Sequence, residues 1–269
     1  VAKALFVPCY PGELGWEIIN YVPYVNHIHS KGDFSEVHIV VRRGREALYT
    51  MGDHFYPIDL STGKSMGNSG HTPPKSDVIK KLKKRGFEVT KIDPLPAGCR
   101  FAKRRKFILY KANEDSLNKW KHIPDNAVVL CVRGRSFGKH KNWKGDKWKS
   151  LCAHFLSNSF VPVITGAYET VSFEVPEGCI DIRNKTTVDD FIAVIQRSRF
   201  VVGQSTGPVH LASMSGVPHA VWGSSRIEER YLKSWNPHNT PVSYLSLGSH
   251  FDGEVKDVIR IVEDLLKKI

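Results

Sequence analysis

Apolar residues come in short blocks along this chain, separated by stretches with helical spacing. Residues 4–7 form a brief apolar run, and Pro11-Gly12-Glu13-Leu14-Gly15 reads as a turn. Over residues 16–30, Ile18, Ile19, Val22, Val25 and Ile28 fall on one helical stripe. Pro23 stands inside that helix, where its missing N–H predicts a kink. Gly32 ends the helix and residues 37–41 read as the next strand. Strand, helix, strand is a βαβ unit, and a parallel sheet follows from it. Further on, a helix is predicted over 77–85, with strands over 87–92 and near 107–110. Residues 61–76 are rich in Gly, Ser and Pro, a composition that predicts a functional or disordered loop.

A polar stretch over 112–126 ends in Ile123-Pro124-Asp125-Asn126, after which the rhythm restarts. Strands are predicted over 127–132, 161–165, 200–202 and 219–222, and helices over 146–156, 188–196 and 208–214. An amphipathic tail spans 253–269. The apolar strands are continuous rather than alternating, as in a sheet covered on both faces. The expected fold is therefore α/β, with two Rossmann-like domains over 1–123 and 124–269. The terminal helix is a candidate to pack back on the first domain.

Composition is that of an ordinary globular protein, 41% hydrophobic and 25% charged. No apolar run approaches the ~18 residues a membrane span needs. The N-terminus has no signal-peptide layout, so a cytoplasmic protein is expected, in the host cell if the source is viral. Five widely spaced cysteines without a CxxC pair read as unpaired thiols. His27 and His29 have no partner spacing, and no metal site is expected. The net charge of +12 is unevenly spread. Residues 1–124 carry 21 Lys/Arg against 12 Asp/Glu, and 133–149 alone carry seven basic residues against one acid. Such a field favours a polyanionic partner: nucleic acid, an anionic glycan or a membrane surface.

The most informative segment is 200–212, FVVGQSTGPVHLA. An apolar strand ends in Gly203, passes Ser205 and Thr206, and enters a helix at Gly207-Pro208. Proline is pre-set for the first helical turn. The open amides and the positive helix end there suit an anion. Ser205 or Thr206 can either cap the helix or donate to a phosphate oxygen. An ordinary well-capped βα turn would look the same.

Residues 203–223, GQSTGPVHLASMSGVPHAVWG, resemble the C-terminal signature of the ADP-heptose:lipopolysaccharide heptosyltransferase family, whose members are GT-B glycosyltransferases of glycosyltransferase family 9. Thr187-Val188-Asp189-Asp190-Phe191 resembles the segment before that signature. Val163-Ile164-Thr165-Gly166 with Glu169 resembles its strand-glycine-acid element, and Lys141-Asn142-Trp143 resembles a Lys-Arg-Trp element. About 100 residues match in order. The resemblance implies two Rossmann-like domains with a cleft between them and a nucleotide-diphosphate sugar as co-substrate, without a cofactor. It implies that Lys141 neutralises the diphosphate, that Ser205, Thr206, Gly207 and His210 border the phosphate and sugar, and that Glu169 faces the ribose. Arg133 and Gly166 join the expected donor site. Ser205 stands where the family pattern has aspartate, so heptose is not predicted.

In Gly12-Glu13-Leu14-Gly15-Trp16-Glu17 two carboxylates lie four residues apart. Inverting transfer uses a general base at the acceptor hydroxyl. The family pattern has an acid six residues before a proline, which selects Glu17; loop position selects Glu13. Gly12, Trp16 and the basic run Lys103, Arg104, Arg105 are the expected acceptor contacts. No DxD triad occurs, which suggests metal-independent transfer. The basic first half makes a hydroxylated base in DNA the expected acceptor, with an anionic lipopolysaccharide-type glycan as the alternative. A non-catalytic nucleic-acid-binding protein and a sugar-nucleotide epimerase are further alternatives. Oligomeric state is not legible.

Overall fold

The computed structural model describes residues 1–59, 75–93, 104–136, 138–166 and 170–269. Most of the long loop expected over 61–76 lies outside the described residues. The chain divides into two compact units, Val1–Ile108 and Leu109–Ile269. Each is an α/β unit built on one parallel sheet. Among the described residues, no helix is long and apolar enough to cross a membrane.

The first unit runs β1 (Lys3–Val7), α1 (Leu14–Trp16), α2 (Val22–His29), β2 (Glu36–Arg42), β3 (His54–Ile58), α3 (Lys75–Lys84) and β4 (Glu88–Lys91). Its strand order is β3-β2-β1-β4. Ala4, Leu5, Phe6 and Val7 of β1 are fully buried, as expected for a central parallel strand. β3 contains Pro57 and accordingly sits at an edge, where a missing N–H breaks no ladder on the outer side.

The helix predicted over 16–30 forms with an interruption. A π-helical turn, Glu17–Tyr21, joins α1 to α2, and Pro23 lies in the first turn of α2. Pro23 has no N–H to give the carbonyl of Ile19, four residues back. Arg105 supplies it instead, donating from Nη1 to Ile19 O at 3.1 Å. The strand expected near 107–110 does not form. Its backbone makes single bonds rather than a ladder: Lys106 N–H donates to Pro23 O at 2.9 Å, and Tyr110 N–H to Met214 O at 2.9 Å.

The second unit begins earlier than the expected 123/124 boundary, because 109–123 is built into it. Ala112 N–H donates to Gln196 Oε1 at 3.0 Å. A short helix, α4 (Glu114–Lys119), is capped by Asn113 and followed by Trp120, whose indole N–H donates to Asp190 at 2.8 Å. Then come β5 (Ala127–Cys131), α5 (Gly145–Ser157), β6 (Val161–Thr165), β7 (Ile180–Asp181), α6 (Val188–Arg197), β8 (Phe200–Gln204), α7 (Gly207–Met214), β9 (His219–Gly223), β10 (Val242–Ser246) and α8 (Val255–Leu266).

The strand order is β10-β9-β8-β5-β6-β7. The chain leaves β5 toward β6 and later returns to the other side of β5 as β8. That reversal lies between β5 and β8, and in open α/β sheets ligands bind beyond the carboxyl ends of such a pair. α8 packs on β9, β10 and α5 of its own unit.

Trp143, Trp148 and Trp222 are fully buried in the core beneath α8, with ring centroids 4.9–5.8 Å apart. Burying each contributes on the order of 4–6 kcal/mol before conformational entropy is subtracted. Two of these rings, Trp143 and Trp148, come from the basic 133–149 stretch and belong to the core.

Candidate functional site

Gln204 ends β8 fully buried, and Ser205, Thr206, Gly207 and Pro208 then form a half-buried turn into α7. Gly203 permits this close packing: a Cβ there would lie 2.8 Å from the Cys131 Cβ and 3.0 Å from Val209 Cγ2. Neither hydroxyl caps the helix. Thr206 occupies the N-cap position and makes no side-chain capping bond. The Ser205 Oγ instead accepts from Tyr231 OH at 3.0 Å.

Tyr231 OH also lies 3.3 Å from His210 Nε2, and the two rings stack at 4.9 Å. His210 Nδ1 is buried and has no hydrogen-bond partner among the described residues. Burial, with a smaller contribution from neighbouring His219, pushes His210 down to about 3, so it is neutral. A hydroxyl pair, a neutral imidazole and the first turn of a helix thus meet at the carboxyl end of β8. They offer hydrogen-bond donors and a helix dipole without any fixed negative charge.

The loop after β5 is tied to this turn. Gln204 Nε2 donates to Lys141 O, and the Lys141 ammonium lies 4.8 Å from the centre of the Phe251 ring. Arg133 is turned inward, donating from Nη1 to Gly138 O at 3.0 Å and to Asn142 Oδ1. It therefore shapes the turn that carries Lys141. Gly166, after β6, is a close-approach position: a Cβ would meet Thr170 Cγ2 at 2.4 Å and Val132 O at 2.7 Å. Glu169 lies outside the described residues. The structure thus gathers Ser205, Thr206, Gly207 and His210, adds Gln204 and Tyr231, and ties the Lys141 backbone to the turn while its ammonium lies over Phe251. No sequence spacing announces Tyr231, which lies 26 residues beyond Ser205.

In the first unit, the loop after β1 leaves a strand flanked by β2 and β4. Tyr21 OH donates to Pro8 O at 2.9 Å, and Arg42 Nη2 donates to Pro11 O at 2.7 Å. Gly12 lets the Tyr10 ring fold over it, since a Cβ would meet that ring at 2.6 Å. Glu13 is half-buried at the end of this loop, and Trp16 on α1 is 37% exposed.

Glu17 is placed differently: it is 1% exposed and both its oxygens are taken. Arg45 Nη1 donates to Oε2 at 2.5 Å and Tyr49 OH to Oε1 at 2.8 Å. Its charge reaches its neighbours. Burial and then Glu17 push the Cys9 thiol up to about 11 and the Tyr10 phenol to about 12. Glu17 is thus the anchor of a buried ion pair, which leaves Glu13 as the carboxylate on the loop itself.

In the basic run, Arg105 satisfies the Ile19 carbonyl and lies over the Phe107 ring at 5.2 Å, so it supports the kinked helix. Arg104 is exposed, and Lys103 lies outside the described residues. Among the described residues, Glu36, His38 and His54 lie close enough together to hold a metal ion, at the amino ends of β2 and β3, a grouping that the sequence spacing did not suggest.

The model of the family described as Glycosyltransferase family 9 (heptosyltransferase) matches residues 102–249, more than half of the chain. No curated protein sequence matches. Among solved structures, a glycosyl transferase family 9 protein from Veillonella parvula DSM 2008 is similar over 99% of this chain and 98% of its own, at 12% identity and a TM-score of 0.71. E. coli ADP-heptose lps heptosyltransferase II is similar over 99% of each chain, at 13% identity and a TM-score of 0.66. E. coli heptosyltransferase WaaC with ADP is similar over 98% of this chain and 100% of its own, at 12% identity and a TM-score of 0.59. These likenesses show the fold, that of the GT-B glycosyltransferases. The chain belongs to glycosyltransferase family 9, the heptosyltransferase family, and is a glycosyltransferase.

Proposed function

We propose that the protein transfers a sugar from a nucleotide-diphosphate sugar to a hydroxyl of an anionic, lipopolysaccharide-type glycan. One observation carries this reading: the half-buried Ser205-Thr206-Gly207 turn, without a side-chain cap, opens α7 at the reversal point of the second sheet. The donor diphosphate takes the amides of that first turn and the Ser205 and Thr206 hydroxyls, with Lys141 as its counter-charge. Neutral, buried His210 backs the turn beside the sugar through its contact with Tyr231. Ser205 brings no charge to the position where the family pattern has an aspartate, so the sugar is left unspecified. The ADP held by WaaC supports a nucleoside diphosphate as the common part of the donor.

The first unit takes the acceptor. Glu13 accepts the proton of the attacking hydroxyl, Trp16 offers an apolar face to the acceptor sugar, and Arg104 adds positive charge. Hydroxylated DNA, the acceptor first suggested by charge, has no support beyond that charge. An excess of Lys and Arg over 1–124 suits an anionic glycan equally, and the family match and the likeness to heptosyltransferase II favour the glycan.

The test is a transfer assay over a panel of sugar nucleotides, with truncated lipopolysaccharide and with hydroxymethylated DNA as acceptors. Nucleotide release with the glycan and not with DNA is expected. Release with DNA alone overturns the acceptor. Failure of every nucleoside diphosphate to protect the second unit against thermal unfolding overturns the donor site.

A further inference from the structure

Glu36 and His38 open β2 two residues apart, so both side chains stand on one face of the sheet. The parallel pairing of β2 with β3 sets His54 directly beside His38. Three potential ligand atoms from adjacent strands thereby lie within 4.8 Å of one another, although His54 is far from the other two in sequence. Glu36 Oε2 is 2.8 Å from His38 Nε2 and 3.7 Å from His54 Nε2. A tetrahedral zinc ion with ligands at about 2.0–2.1 Å holds its ligand atoms about 3.3 Å apart, between these two separations.

The surroundings are those of a ligand set held in place. The two imidazoles stack with centroids 4.5 Å apart and planes 21° from parallel, so half-exposed His54 must turn to bring its in-plane lone pair onto an ion shared with His38. Tyr56 OH lies 2.9 Å from His38 Nδ1, the ring nitrogen that does not face Glu36. A metal-bound histidine ordinarily has such a partner on its second nitrogen, fixing tautomer and ring angle. Arg85 clamps the Glu36 carboxylate with both terminal nitrogens, Nη2 to Oε1 at 2.7 Å and Nη1 to Oε2 at 3.1 Å, and so fixes its plane; a bound ion shares Oε2 with the weaker of these contacts. The side chains grade from 3% exposed at His38 through 21% at Glu36 to 49% at His54. Two ligands are thus fixed, and the third lies at a solvent entry path.

We propose that Glu36, His38 and His54 form a binding site for one divalent transition-metal ion of the zinc class, completed by solvent. Two imidazoles and a single carboxylate favour such an ion over magnesium or calcium, which prefer all-oxygen sites. The site lies at the amino ends of β2 and β3. The length of β2, at about 3.3 Å per residue, puts it roughly 20 Å from the Arg42 end that braces the loop carrying Glu13. Its role is therefore structural: the ion clamps edge strand β3 to β2. This inference is independent of the transfer reaction.

The test uses the untagged full chain, stripped with chelator and titrated with zinc chloride by calorimetry and with cobalt chloride by visible absorption. One ion per chain is expected, with a tetrahedral cobalt spectrum and slower hydrogen exchange in β3. His54→Ala and Glu36→Gln each weaken binding at least about tenfold, the scale of lost metal-site contacts. Half-exposed His54 tolerates replacement, so that variant reads binding in a folded chain. Absence of stoichiometric binding in the native chain, or unchanged affinity in either variant, overturns the site.

Discussion

The loop after β1 and the turn after β8 hold equivalent places in their sheets. Each leaves the carboxyl end of a central parallel strand and enters a helix. Their chemistry is opposite. The first is braced by a buried ion pair, with Glu17 held by Arg45 and Tyr49, and Arg42 reaching Pro11 O. The second has no ionised group in its network: Tyr231, Ser205 and neutral His210 are joined by hydrogen bonds. The first loop thus has a charged frame beside the half-buried carboxylate Glu13, the base in the proposed reading. A turn that receives a diphosphate serves best if it supplies donors and no competing anion.

The largest effect expected is on the first loop. Glu13→Gln should lower turnover by about 10²–10⁴-fold, the range for removal of a general base, with nucleotide affinity unchanged. Steady-state kinetics with a saturating donor reads this directly. Glu17→Gln should act through folding instead. Removing one partner of a buried pair costs about 3–5 kcal/mol, and Arg45, 19% exposed, recovers some solvation, so about 3 is expected. Hydrogen exchange of the β1 and β2 amides should accelerate accordingly. If Glu17→Gln abolished turnover at native exchange rates, the two carboxylates would have to trade roles.

The two units should also part company in acid. His210 and His219 are buried and pushed down to about 3 and about 4 respectively, whereas an unfolded histidine titrates near ~6.5. Below ~6.5 the unfolded chain takes up protons that the folded chain refuses. Each histidine therefore costs about 1.4 kcal/mol per pH unit until its folded value is reached. Exchange in the second unit should show a loss of about 3 kcal/mol per unit on lowering the pH from 6.5. The first unit, where burial shifts His38 down, should fall less steeply.

What the sequence made legible follows from how local each signal is. β6, α6, α7 and β9 are announced by continuous apolar runs and by glycine, proline or threonine at their ends, and they form within a residue or two of expectation. β3 and β10 escaped notice because edge strands bury one side and carry mixed residues such as Pro57 and Ser243. α4 hid in a polar stretch, since its stabilising contact is Trp120 with distant Asp190. In the candidate site, the Ser205-Thr206-Gly207 turn was readable from its strand and helix. The inward turn of Arg133, the pairing of Glu17 with Arg45 and the capture of Ile19 O by Arg105 are long-range choices made by packing. Residue type alone offered Arg133 and Arg105 as ligand contacts, and the fold turns both onto its own carbonyl oxygens, while Arg45, which no motif singled out, goes to a carboxylate.

Tyr231→Phe should give the smallest effect and probes the neutral character of the second turn most directly. The ring stays, keeping its stack on His210 and its edge contact with Trp235. Only the hydroxyl goes, and with it the bond to Ser205 and the contact with His210 Nε2. A net loss of about 1 kcal/mol in stability is expected, because the partners left behind are partly buried. Donor affinity should drop a few-fold, since Ser205 loses the group that orients its proton. Ser205→Ala removes the other end of the same bond, so the double variant should bind the nucleotide no worse than the weaker single variant. Effects on nucleotide affinity that add to within ~0.5 kcal/mol would mean the two hydroxyls act separately. The turn would then hold its diphosphate through backbone amides alone.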